Sequence, residues 1–111
     1  ADLSAGLSGL EIVDLTFTKI GEPTLKQLGE MKQLKLIVLD QTKVTNEMLA
    51  SLSDLPNLEV ISVKATTISG PGLMHLKNLP KLSMVLMNGT RVTGSELKEL
   101  QDAMPKVKFR R

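Results

Sequence analysis

Leucine returns every 24 residues along this chain, at Leu10, Leu34, Leu58 and Leu82, and whole blocks of neighbours return with it. Written in rows of that length, the segments 10–25, 34–49, 58–73 and 82–97 agree column by column. Val13, Ile37, Ile61 and Val85 fall together, as do Leu15, Leu39, Val63 and Met87, then Thr18, Thr42, Thr66 and Thr90, then Ile20, Val44, Ile68 and Val92. The agreement continues through Leu25, Leu49, Leu73 and Leu97, through Leu28, Leu52, Leu76 and Leu100, and through Met31, Leu55 and Leu79. No unit this short buries its own apolar face, so the rows must stack and share one continuous core.

Periodicity changes halfway along each row. Ile61 and Val63, or Val85 and Met87, sit two apart, the period of a strand. Leu73, Leu76 and Leu79 are three apart, as on one face of a short helix. Capping candidates Gly21, Thr45, Ser69 and Thr93 precede the helices, and Thr93 with Glu96 fits a capping box. Pro23 and Pro71 share a column in the first helical turn, where a missing N–H costs little. Pro56, Asn57 and Pro80 fall in the returns to the next strand. Stacked strands run parallel about 4.8 Å apart, which makes residues one repeat apart lateral neighbours. Glu11, Lys35 and Glu59 then form a column of alternating sign, and Asp40 adjoins Lys64. The threonine column is expected to hydrogen-bond backbone where the chain leaves the sheet.

The 111 residues suit a single domain, 1–111, with no linker. Hydrophobic residues make up 41% and charged residues 23%, a globular balance that argues against disorder. Two Phe, no Trp and no Tyr leave an aliphatic core and few platforms for stacking nucleic-acid bases. Without cysteine, disulfides, thiolate metal sites and cysteine nucleophiles are excluded. No apolar run exceeds that of residues 36–39, far short of the roughly 20 a membrane helix needs, so a soluble protein without a membrane span is expected. The chain opens on Ala1 with no signal pattern, which leaves an exported or periplasmic location open if a signal was removed. Net charge is +2, but Lys106, Lys108, Arg110 and Arg111 put four cations among the last six residues. Elsewhere only Lys19, Lys43 and Arg91 share a basic column, so nucleic acid is not the expected partner.

Catalytic chemistry finds little support. The single histidine, His75, shares a column with Gln27, Ser51 and Glu99 on the outer helical face. Asp14 and Asp40 occupy different strand columns and form no acid–base pair. Glu30, Asp54 and Asp102 make a solvated acidic strip rather than converging on a cation. Gly70, Gly72, Gly89 and Gly94 mark repeat boundaries and belong to no phosphate-binding motif. The expectation is a chain that is not an enzyme and binds neither cofactor nor metal.

The segments TKVTNEMLASLSDLPNLEVISV and TRVTGSELKEL resemble the leucine-rich repeats of planctomycete and related bacterial proteins, in which T-x-V-T-D-x-G-L-x-x-L-x-x-L-x-x-L recurs. The resemblance runs from about Leu7 to Phe109, and the repeat length lies within the 20 to 29 residues of that class. Asn46 and Gly94 stand where Asp is common, and Gly72 alone keeps the helix-entry glycine. The resemblance implies an α/β leucine-rich-repeat solenoid, right-handed, with a parallel sheet of four to five strands on one face and short helices on the other. It also implies a binding or accessory module. About four repeats are expected, with a partial first one in which Leu3 and Leu7 end an earlier helix, as in a fragment of a longer protein. A C-terminal cap near 97–111 would carry a short edge strand at Val107 and Phe109, guarded by Lys108, Arg110 and Arg111.

The outward side of the sheet is the expected functional surface. The outward residues are Ile12, Asp14 and Thr16; Leu36, Val38 and Asp40; Val60, Ser62 and Lys64; and Met84, Leu86 and Asn88. A face that only met water would be polar, yet Ile12, Leu36, Val60 and Met84 stack into an apolar ribbon, widened by Val38, Leu86 and Phe17. Val38 and Leu86 lie between inward positions and should project fully outward, whereas the first column could instead be covered by the helix side. These residues form the expected contact surface for a protein partner or a second copy of the chain. The alternative is a structural repeat segment of a larger enzyme or receptor.

Overall fold

The computed structural model describes residues 11–111; the expectations about Leu3, Leu7 and Leu10 lie outside the described residues. Strands β1 (Ile12–Asp14), β2 (Leu36–Val38), β3 (Val60–Ser62), β4 (Met84–Leu86) and β5 (Lys108–Arg110) form one five-stranded sheet in sequence order. All four pairings are parallel, and the register is the repeat itself: Ile12, Leu36, Val60, Met84 and Lys108 stand side by side. The ladder outruns the strands, since the Leu15 N–H donates to the Val38 carbonyl at 2.9 Å and the Gln41 N–H to that of Lys64, also at 2.9 Å.

Each of the first four strands leaves the sheet in the same way. Phe17, Gln41, Ala65 and Gly89 occupy one column and all have left-handed backbone, with φ of 66°, 56°, 56° and 73°. Only Gly89 adopts it without a Cβ penalty. One residue on, the hydroxyls of Thr18, Thr42, Thr66 and Thr90 donate to the carbonyls of Leu15, Leu39, Val63 and Met87 over 2.6 to 2.8 Å. The threonine column therefore closes these turns.

Helices follow in every row, but not of one kind. α1 (Glu22–Gly29), α2 (Gly70–Met74) and α3 (Gly94–Ala103) are α-helical, whereas Met48–Leu52 is a 3-10 helix. That row carries Asn46, Ser51 and Ser53, residue types of low helix propensity. Asn46 is in fact turned outward to the next repeat: its Nδ2 donates to the Ser69 hydroxyl at 2.9 Å and its Oδ1 accepts the Ser69 N–H at 3.0 Å. Gly72 makes room for it, because a Cβ there would collide with the Asn46 carboxamide. Gly29 is similarly constrained, its missing side chain lying against the Ser51 carbonyl of the 3-10 helix.

One capping expectation is corrected. Gly21 and Ser69 are the N-caps of α1 and α2 as expected, without a side-chain bond, but Glu47 rather than Thr45 occupies the cap of the 3-10 helix. Thr45 sits further back, where its hydroxyl accepts the Met48 N–H at 3.3 Å. Thr93 and Glu96 do form a reciprocal capping box, at 3.1 and 3.0 Å. Pro23 and Pro71 stand in the first turns of α1 and α2.

Inward strand residues Val13, Ile37, Ile61 and Val85 share one core with Leu25, Leu28, Leu49, Leu52, Leu73, Leu76 and Leu100 of the opposite side. Burying each leucine contributes about 1.5–3 kcal/mol. Cover depends on neighbours: Val44 and Ile68, in the middle rows, are fully buried, while Ile20 and Val92 in the same column are half-buried. In the returns, Asn57 Nδ2 donates to the Lys32 carbonyl at 2.9 Å and Lys81 Nζ to Asn57 Oδ1 at 3.3 Å, which ties three rows together. The result is an α/β fold with a five-stranded parallel sheet and helices packed on one side of it.

Candidate functional site

The other side of the sheet carries the alternate strand residues. The structure brings the expected contact residues together in two rows: Ile12, Leu36, Val60 and Met84, and beside it Asp14, Val38, Ser62 and Leu86. Lys108 and Arg110 of β5 extend the two rows. None of the apolar members Leu36, Val38, Val60, Met84 and Leu86 belongs to the core or to the side chains packed against it. Their cover thus comes from lateral neighbours about 4.8 Å away across the sheet, not from the helix side.

This also corrects the picture of Val38 and Leu86 as fully projecting. Both are half-buried, like Leu36, Val60 and Met84, because flanking side chains on a parallel sheet shield one another. Among the described residues only Ile12, at 60%, and Phe17, at 73%, are large apolar residues exposed outright. The ribbon is continuous, but its interior columns are shallow.

The polar members have local duties. Ser62 is only 2% exposed, and its hydroxyl donates to Asp40 Oδ1 at 2.5 Å. The same oxygen accepts the Lys64 N–H at 2.9 Å, so Asp40 meets the Lys64 backbone, where a charge pair had been expected. Asp14 accepts the Thr16 hydroxyl at 2.6 Å and its N–H at 3.0 Å. Those two bonds, the hydroxyl first, hold the Asp14 carboxyl below the usual aspartate range. Asn88 is exposed, while Thr16 and Lys64 are half-buried. In the charge column at the foot of the strands, Lys35 lies 3.6 Å from Glu11, the one ion pair among the described residues; Glu59 makes none.

Two features escape a sequence reading centred on the first four rows. The apolar rows end on cations, because β5 places Lys108 beside Met84 and Arg110 beside Leu86. The repeat spacing, carried one row further, would have found both. Phe17 holds its left-handed position beside Lys19, Ile20, Gln41 and Lys43, around an open depression of about 430 Å³. No sequence pattern marks that strain, since glycine occurs at only one of the four equivalent positions.

Elsewhere the surface is simple. His75 is exposed at the end of α2, and Glu30, Asp54 and Asp102 are exposed along the helix side. Among the described residues no three His, Asp or Glu side chains converge as metal ligands would. No helix among them is long and apolar enough to cross a membrane.

No protein-family model matches this sequence, and no curated protein matches it. Solved structures do. The fold is similar to that of leiomodin-1 actin-binding site 2, with a TM-score of 0.77 at 12% identity over 97% of this chain and 73% of the other. It is also similar to the tropomodulin C-terminal domain from Caenorhabditis elegans, with a TM-score of 0.69 at 14% identity over 97% of this chain and 77% of the other. At such identities the likeness is one of fold.

Proposed function

We propose that this protein is a non-catalytic protein-binding module, a right-handed leucine-rich-repeat solenoid of the bacterial, planctomycete type, whose sheet face receives a partner protein. The single observation that carries the reading is the detachment of Leu36, Val38, Val60, Met84 and Leu86 from the core. Aliphatic side chains that serve no core are inexpensive to replace by polar ones, so their alignment in adjacent columns suits a surface that loses water on contact. The similarity to a leiomodin-1 domain described as an actin-binding site supports protein binding as a use of this fold. The repeat motifs support the family.

The test is a paired substitution, Val38→Asp with Leu86→Asp. Both side chains lie outside the core, so the circular-dichroism spectrum and unfolding midpoint should stay close to those of the parent. Proteins retained from a cell extract by the parent should be lost by the variant, and purified actin is a defined first ligand. Retention of the same proteins by the variant, or collapse of its fold, would sink the reading.

A further inference from the structure

The geometry points to a specific occupant of this face: one amphipathic helix of about 13 residues laid across the strands, its anionic end over β5 and its cationic end over β1. The inference rests on the reading of the face as a partner surface and adds the partner's shape, charge and direction.

Size excludes a second copy of the chain as a stable occupant. Five strands at about 4.8 Å, each continued by the ladder to about five residues, give a face of roughly 24 by 16 Å, under about 400 Å². A stable protein pair buries about 800 Å² on each partner. Hydrogen bonding excludes an extended peptide. The strand N–H and C=O groups lie in the plane of the sheet and are used between neighbours, so a flat peptide on this face would leave its own backbone unpaired. A helix satisfies its backbone internally and brings only side chains to an apolar surface.

Proportions set the direction of lie. Along the strands the face measures about 16 Å, whereas across them it measures about 24 Å. A helix about 10 Å wide and 19 Å long therefore fits across the strands. Its pitch of about 5.4 Å nearly matches the strand spacing, so one apolar residue per turn meets each of Leu36, Val60 and Met84 in succession, flanked by Val38 and Leu86.

Charge sets the polarity. Asp14 is exposed at one end of the face, and Lys108 and Arg110 are exposed at the other. Helices favour acidic residues in the first turn and basic residues in the last. Such a helix would run from β5 to β1, its first-turn carboxylates over Lys108 and Arg110 and its last-turn cations over Asp14. Full side-chain charges outweigh the half-charge of the helix terminus.

The probe is a synthetic 14-residue peptide, acetylated and amidated, with glutamates in its first turn, one leucine stripe and lysines in its last turn. Titrated into the isotope-labelled full chain, it should shift the amide signals of β2, β3 and β4 and gain helical circular dichroism. Lys108→Glu combined with Arg110→Glu should weaken binding about tenfold or more, while Lys81→Glu, away from the face, should leave it unchanged. No shifts at millimolar peptide, shifts on the helix side, binding without gained helicity, or equal affinity for the β5 variant would each overturn the assignment. A dimer by light scattering that is broken by Val38→Asp with Leu86→Asp would overturn it too. If that pair abolishes capture of a protein partner while the peptide fails to bind, the face stands as a partner surface and only the helix is refuted.

Discussion

The hydroxyl-to-carbonyl bond that closes each turn occurs four times, and replacing each threonine by valine separates the effect of burial from the effect of the bond. Thr66 is 5% exposed and Thr42 8%, whereas Thr90 is half-buried and Thr18 exposed. In the outer turns a second donor backs up the hydroxyl, for the Thr18 N–H reaches the Leu15 carbonyl at 3.0 Å and the Thr90 N–H the Met87 carbonyl at 3.2 Å. In the inner turns the hydroxyl alone holds the carbonyl. Valine keeps the shape and the branching, so Thr66→Val orphans the Val63 carbonyl and also the Ile68 N–H, which reaches the Thr66 hydroxyl at 3.4 Å. A buried group left unpaired costs about 1–3 kcal/mol. The expected losses are about 2–3 kcal/mol for Thr66→Val, about 1.5–2 for Thr42→Val and under about 1 for Thr18→Val and Thr90→Val. With no Trp or Tyr in the chain, urea unfolding is followed by circular dichroism at 222 nm, the midpoint shift being read at constant slope. Equal losses at all four sites, or a larger loss at Thr18 than at Thr66, would refute the reasoning.

Two further outcomes follow from the backbone and from charge. Gly89→Ala sets its methyl 3.5 Å from the Ala65 backbone, an ordinary contact, so its cost is the left-handed conformation, about 1 kcal/mol, read as a fall of several degrees in Tm; Ala65→Gly should raise Tm slightly, and the opposite signs would overturn the strain argument. The Thr93 N–H and then the Gly70 N–H hold the Glu96 carboxyl below the usual glutamate range. Its folded pKa is therefore lower than its unfolded one, so the stabilisation is complete above the unfolded value and fades as the pH falls through the folded value. Glu96→Gln should be less stable than the parent at neutral pH and should converge on it in acid unfolding series; a gap that widens on acidification would contradict this.

Much of the architecture was legible in the rows. Val13, Ile37, Ile61 and Val85 agree in type because one layer of the core is built from them, and the strand register reproduces the repeat for the same reason. The threonines were legible because a hydroxyl at that column has one nearby carbonyl in need of a donor. Helix type was not. Met48–Leu52 winds as a 3-10 helix in the row where Asn46 reaches Ser69 of the next row and Gly29 lies against the Ser51 carbonyl, contacts between rows that no single column records. Asp40 escaped prediction likewise: its column suggested an ion pair, but a backbone N–H and a hydroxyl lay closer.

The candidate surface divides in the same manner. Periodicity alone determined which residues point away from the core, because alternation along a strand is a covalent property of the chain. How much of each is open to a partner was decided by lateral packing: Leu36, Val60 and Met84 shield one another, Ser62 sinks beneath Asp40, and Ile12 stays open at the edge. The sequence by itself determined the repeat, the parallel register and the apolar character of the outward columns, since each depends on residue type at a fixed spacing. Only the tertiary structure decided the depth of that surface and the strained exit at Phe17, since these depend on which side chains of neighbouring rows occupy the same few ångströms.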